Sequence, residues 1–150
     1  MIIFKMQFSI LALCLAAFLS THVTAWDSHV NFTFQCKDIF LDGRQSSLLT
    51  ACCLTDSNSD TGVVHGNTYA STFFDLALCV GINYTTATLE WSMLGKYPLY
   101  CNDCQLINGG SGLNCVCQST TEQGQLVVNS TLDLNQGVAN VNGNLACQWY

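Results

Sequence analysis

The stretch that decides the fold is "LDLNQGVANVNGNL", residues 132–145, because "FDLALCVGINYTTATL", residues 74–89, follows the same plan. Both open on an apolar residue and Asp-Leu, pass a Val and an Asn-bearing turn, and close on Leu. Each is preceded by a cysteine-bounded unit. The first is "CKDIFLDGRQSSLLTACC", Cys36 to Cys53, and the second is "CNDCQLINGGSGLNCVC", Cys101 to Cys117. Each unit opens with Cys-x-Asp, passes a Gly-bearing turn (Asp42-Gly43, Asn108-Gly109) and closes with Leu-x-x-x-Cys. The offset between copies shrinks from 65 residues at Cys36/Cys101 to 56 at Leu89/Leu145, because the loop 54–72 is longer than its counterpart after Cys117. Two copies indicate duplication of one supersecondary unit, whereas a solenoid needs three or more to bury its faces.

The local signals are those of strands. Short alternating runs such as Leu49 to Cys53 and Leu126 to Leu132 are bounded by Asx-Gly turns, and no window carries a useful helical stripe. Asp75 and Asp133 are N-cap residues in type, so the segments after them are expected to make one short helical turn each. The closing strands are Thr88 to Trp91 and Asn144 to Cys147. A lone repeat of about 55–60 residues builds a marginal core, so the halves are expected to share one.

Residues 1–25 read as a secretory signal. Lys5 lies in a short n-region, the apolar run Phe8 to Leu19 is too short to span a bilayer, and Val23-Thr24-Ala25 fits a cleavage site. The expected mature domain is 26–150, with repeat 1 over about 31–91 and repeat 2 over about 98–150. It carries three bases (Lys37, Arg44, Lys96) against ten acids, a formal charge of −7, with no basic patch, so nucleic acid is excluded as a partner. No later segment is long and apolar enough to be a membrane anchor.

Nine cysteines follow the signal, and in an oxidising compartment such density means disulfides. Metal binding by Cys101-x-x-Cys104 and Cys115-x-Cys117 is the weaker reading, since no His lies near; no metal and no cofactor is expected. Asn31-Phe-Thr33, Asn83-Tyr-Thr85 and Asn129-Ser-Thr131 are acceptor sequences for N-glycosylation.

Enzyme chemistry finds little footing. A glycosidase needs two carboxylates across a cleft, yet Asp75 and Asp133 read as repeated caps, and Glu90 and Glu122 stand at unmatched positions. Cys–His nucleophilic catalysis has only His29 and His65 after the signal, and oxidised cysteines are poor nucleophiles.

The order Cys, Gly turn, Leu-x-x-x-Cys, Asp-Leu, Asn-bearing turn and closing Leu, given twice, resembles the cyanovirin-N homology family from about Asn31 to the C-terminus. The resemblance implies an all-β fold of two pseudo-symmetric halves, each a three-stranded sheet plus a β-hairpin, with strands exchanged between repeats. It implies a non-catalytic lectin for oligosaccharides on glycoproteins or cell walls. Their type would be mannose-rich, with terminal α1,2-linked mannose. The state would be a monomer or a dimer swapped through the hinge near Ser92 to Pro98.

It also implies the disulfides Cys36–Cys53 and Cys101–Cys117, closing loops worth roughly 3 kcal/mol each on the chain-entropy model. Cys104 and Cys115 fall where the first unit has Ile39 and Ala51, so a nested Cys104–Cys115 bridge is expected in place of an apolar contact. Cys52, Cys79 and Cys147 stay unassigned. The family's first sugar site maps onto Asn31, Gln35, Asp56, Asn140 and Asn142, and its second onto Asn83, Lys96, Tyr100, Ser119, Thr120 and Glu122. Short polar groups on fixed loops suit sugar hydroxyls. This chain departs from the family at Phe34 and Leu54 in the first site and at Gly81, Leu99 and Thr120 in the second. A glycan on Asn31 or Asn83 would stand beside a site. The alternative function is a secreted disulfide scaffold that binds another protein.

Overall fold

The computed structural model describes residues 31–42, 47–55 and 68–148. The segment 1–25 expected to be a secretory signal, the Asp42-Gly43 turn beyond Asp42, Asp56, most of the long loop, His29 and His65 lie outside them. The described chain is all-β. After a four-residue helix α1 (Phe32–Gln35) come β1 (Cys36–Leu41), β2 (Leu48–Thr55), β3 (Thr68–Asp75), β4 (Val80–Asn83) and β5 (Thr88–Trp91). The second half repeats the order with β6 (Cys101–Ile107), β7 (Gly112–Thr121), β8 (Gly124–Asp133), β9 (Val138–Val141) and β10 (Asn144–Cys147). Antiparallel sheets β1-β2-β3 and β6-β7-β8 alternate with the hairpins β4-β5 and β9-β10.

The two halves correspond position by position along most of their strands. Cys36 pairs with Cys53 and Cys101 with Cys117 across the first two strands of each sheet, and both pairs are disulfide-bonded. A bulge follows in each, with Asp38 at φ 53° and Asp103 at φ 50°. In the second sheet the disulfide Cys104–Cys115 lies at this bulge. Asp75 and Asp133 cap single 3-10 turns (Leu76–Leu78, Leu134–Gln136), each carboxylate oxygen accepting the N–H two residues on, at 2.9 and 3.0 Å.

Exchange between repeats is visible in two equivalent hydrogen bonds. The Leu89 N–H of the first hairpin donates to Ser130 Oγ in β8 (2.8 Å), and the Leu145 N–H of the second donates to Thr72 Oγ1 in β3 (3.2 Å). Each hairpin therefore covers the other repeat's sheet. The shared core holds Leu76, Val80 and Leu89 together with their counterparts Leu134, Val138 and Leu145, all buried. Phe32 and Tyr97 are fully buried beside them. Burial pushes the Tyr97 phenol far above its usual range, with Asp75 adding to the shift, so it stays neutral.

The connection between halves is pinned to the first repeat. The backbone N–H groups of Ser92, Leu94 and Lys96 donate to the carbonyls of Cys79, Leu78 and Ala77. Gly95 lies against Gly81 so closely that a Cβ on Gly95 would overlap the Gly81 backbone, which explains a glycine at both places. Among the described residues no helix is long and apolar enough to cross a membrane.

Candidate functional site

The first candidate site gathers α1, the end of β2 and the β9–β10 turn. Its organising residue is Asn140, 3% exposed on β9. Both hydrogens of its amide are committed, to Gln35 Oε1 (3.0 Å) and to the Leu54 carbonyl (2.8 Å), while Oδ1 accepts the Gly143 N–H (2.8 Å). The matching residue of the first hairpin is Ile82, equally buried. Asn140 thus occupies a core position and ties three segments together. Asn140 was expected to contact sugar, and in the structure both donors of its amide are spent on protein partners.

The remaining residues of this site are arranged around that clasp. Gln35 is half-buried and spends its Oε1 on Asn140. Asn142 is exposed in the left-handed region (φ 50°) and starts the turn that Gly143 (φ 84°) completes against Thr55 and Ala70. Asn31 is exposed before α1, and its N–H donates to the Asn135 carbonyl. Asp56 is outside the described residues. Replacing Asn140 by Ala is expected to cost roughly 1–3 kcal/mol of stability, because the Leu54 carbonyl and the Gly143 N–H lose their partner. Denaturant unfolding measures it, and a loss under about half a kcal/mol would show that the clasp holds nothing.

The second candidate site is an open cleft of about 320 Å³ lined by Tyr84, Tyr100, Gln118, Ser119, Thr120 and Gln125. It joins the repeats: Tyr84 comes from the β4–β5 turn, the others from the second sheet and the residue before it. Tyr84 and Tyr100 meet edge to face, ring centres 5.2 Å apart at 89°. A hydrogen bond with Tyr100, followed by desolvation, raises the Tyr84 phenol above its ordinary value, so the Tyr84 ring stays neutral at physiological pH.

The cleft floor is set by β7 and β8. The Gln118 N–H donates to the Tyr100 carbonyl (2.8 Å), Thr120 pairs with Gln125, and Gln125 Nε2 donates to Gln118 Oε1 (3.0 Å). Ser119 is 6% exposed, and its hydroxyl has no partner among the described residues. Its counterpart in the first half, Thr55, donates its hydroxyl to the Thr68 carbonyl. A buried hydroxyl without a partner carries a desolvation cost that a ligand's polar group can remove.

Of the six expected residues, Tyr100, Ser119 and Thr120 line this cleft. Asn83 adjoins it through Tyr84, with Oδ1 accepting the N–H groups of Thr85 and Thr86. Lys96 and Glu122 are exposed and do not line it, and among the described residues no charged side chain does. Tyr84, Gln118 and Gln125 were missed. Gln125 was findable by counting back across the Thr121–Gly124 turn from Thr120, and Tyr84 by its place in the hairpin tip.

Among families of known proteins, the model for the CVNH domain matches residues 32–146. No curated protein sequence matches the chain significantly. Several solved structures share the fold. The MoCVNH3 variant Mo0v in complex with (N-GlcNAc)4 has a TM-score of 0.63 at 16% identity, over 79% of this chain and 97% of that one. The T. borchii CVNH protein has 0.60 at 23% identity, over 78% and 98%. The Gibberella zeae CVNH protein has 0.60 at 16% identity, over 78% and 96%.

Proposed function

Because the chain belongs to the cyanovirin-N homology family, a family of carbohydrate-binding proteins, we propose that it is a secreted, non-catalytic lectin whose working site is the Tyr84–Tyr100 cleft. The ligand is an oligosaccharide of the mannose-rich type. The observation that carries this reading is the cleft itself: lined by uncharged residues, with two aromatic rings meeting edge to face, and with Ser119, whose buried hydroxyl has no partner among the described residues, in its lining. Rings offer a flat apolar surface to the C–H face of a pyranose, while the hydroxyl and the glutamine and threonine side chains meet its hydroxyls. Among the described residues no carboxylate lines the cleft, which supports a site that holds a sugar. The complex of the MoCVNH3 variant with an N-acetylglucosamine oligomer supports oligosaccharide binding as the general mode.

Ser119→Ala tests the reading. The substitution is expected to weaken binding by roughly 1–3 kcal/mol while leaving stability unchanged or slightly higher, because the hydroxyl has no protein partner to lose. Titration with oligomannose and with N-acetylglucosamine oligomers, beside thermal unfolding, measures both. Unchanged affinity would remove this cleft as the sugar site.

A second reading, a disulfide scaffold that binds another protein, has its own observation. Phe40 and Phe73 flank Thr50 on the outer face of the first sheet and are 53% and 74% exposed, whereas the matching row of the second sheet is Gln105, Asn114 and Thr131. A glycan array on the oxidised chain separates the two: binding to discrete glycans supports the lectin, and a blank array supports the scaffold.

A further inference from the structure

We infer that Asn83 is a glycosylation site whose N-linked glycan closes the Tyr84–Tyr100 cleft, so that occupancy of one side chain regulates sugar binding. This rests on the lectin reading of that cleft and on passage through a secretory route.

The three acceptor sequences sit in very different surroundings. In Asn31-Phe32-Thr33 the middle residue is fully buried, and the Thr33 hydroxyl donates to Asn135 Oδ1 (3.0 Å). In Asn129-Ser130-Thr131 the acceptor lies in the middle of β8, and Ser130 is buried beneath the first hairpin, accepting the Leu89 N–H. Asn83-Tyr84-Thr85 forms the tip of a hairpin, with Tyr84, Thr85 and Thr86 exposed. Asn83 Oδ1 caps that tip by accepting two N–H groups, at 3.0 and 3.2 Å, and the Ala87 N–H closes the turn on the Asn83 carbonyl (2.7 Å). The tip is thereby held by the oxygen of the Asn83 amide and by the backbone. Its Nδ2 makes no hydrogen bond among the described residues.

That division suits the modification. Nδ2 attacks C1 of a lipid-diphosphate-linked oligosaccharide supplied by the secretory route. The Nδ2–C1 bond forms as the C1–O bond to diphosphate breaks, and one amide proton leaves to the transferase's base. The diphosphate departs with the bonding pair. Oδ1 is untouched, so both caps survive and the folded tip accepts the glycan without strain.

The next residue along is a wall of the cleft. Tyr84 and Asn83 have Cα atoms about 3.8 Å apart, and Tyr84 packs edge to face on Tyr100 at the mouth. A branched chain rooted there shields the mouth, and its own terminal sugars are held near the cleft at an effective concentration on the order of millimolar. Free glycans must then compete with a tethered one.

The test uses the full chain secreted from a eukaryotic host as wild type, Thr85→Ala and Thr85→Ser, with the other two acceptor sequences intact. Thr85→Ala abolishes the acceptor sequence but keeps Asn83 and its capping oxygen, and Thr85→Ser retains the acceptor. Glycopeptide mapping reads occupancy at Asn83, and titration with oligomannose reads affinity. The expected result is an occupied Asn83 in wild type and Thr85→Ser, both binding at least about tenfold more weakly than Thr85→Ala. An unoccupied Asn83, or equal affinity of occupied wild type and Thr85→Ala, overturns the inference and leaves the lectin reading standing. Absence of binding by correctly folded Thr85→Ala overturns both.

Discussion

A chain carrying Cys79→Ala together with Cys147→Ala is expected to lose roughly 4 kcal/mol of stability, the largest effect of any cysteine pair in the molecule. The bond joins residues 68 apart, from the end of the first capped turn to the last strand. On the chain-entropy model its removal frees far more of the unfolded chain than loss of Cys104–Cys115, which spans 11 residues and is worth roughly 3 kcal/mol. Paired denaturant titrations of the two double variants decide the order. If removing Cys104–Cys115 costs as much or more, the long bond does not constrain the chain as its span requires.

That bond also has a counterpart, which explains its place. Cys79 ends the turn capped by Asp75, and Gly137 ends the turn capped by Asp133, with closely similar backbone angles. Cys147 pairs with Val138, and Trp91 with Val80. Across the pseudo-twofold axis the disulfide Cys79–Cys147 therefore matches a contact of Trp91 on Gly137, so close that a Cβ on Gly137 would stand 2.6 Å from the indole ring. One half joins the hairpins by a covalent bond and the other by an aromatic ring over a glycine. Among the described residues Cys52 is left as the free thiol, half-buried on β2.

The fold was legible because the repeat gives each position a second witness. Leu76 and Leu134, Asp75 and Asp133, or the strands 88–91 and 144–147, recur at the same step, and chance does not repeat a pattern in order. Cys79–Cys147 was not legible, since its partner positions hold Gly137 and Trp91 and break the repetition. The site was harder for a related reason. Asn140 reads as a surface amide beside a turn, yet the residue at its place in the other copy is Ile82, which marks the position as core. The second cleft draws Tyr84 from one repeat and Ser119 and Gln125 from the other. Only the exchange of hairpins brings them together, and no spacing within a repeat encodes it. Lys96 and Glu122 were drawn in by family position, but their segments end outside the cleft.

The exchange of hairpins sets the last expected result. Leu145→Ala should destabilise the chain by roughly 2–5 kcal/mol, since a 6%-exposed leucine leaves a cavity where the second hairpin meets the first sheet. The variant keeps the backbone N–H that donates to Thr72 Oγ1, so the register of the hairpin is retained and the measured loss reports packing. Leu89→Ala makes the equivalent cavity under the first hairpin, whose N–H bond to Ser130 is likewise retained. If the two hairpins close one shared core, the two losses should agree within about 1 kcal/mol and unfolding should stay a single transition for both. Two separate transitions in either variant, or a loss below about half a kcal/mol, would mean that each repeat holds its own core and that the exchanged hairpins merely lie on its surface.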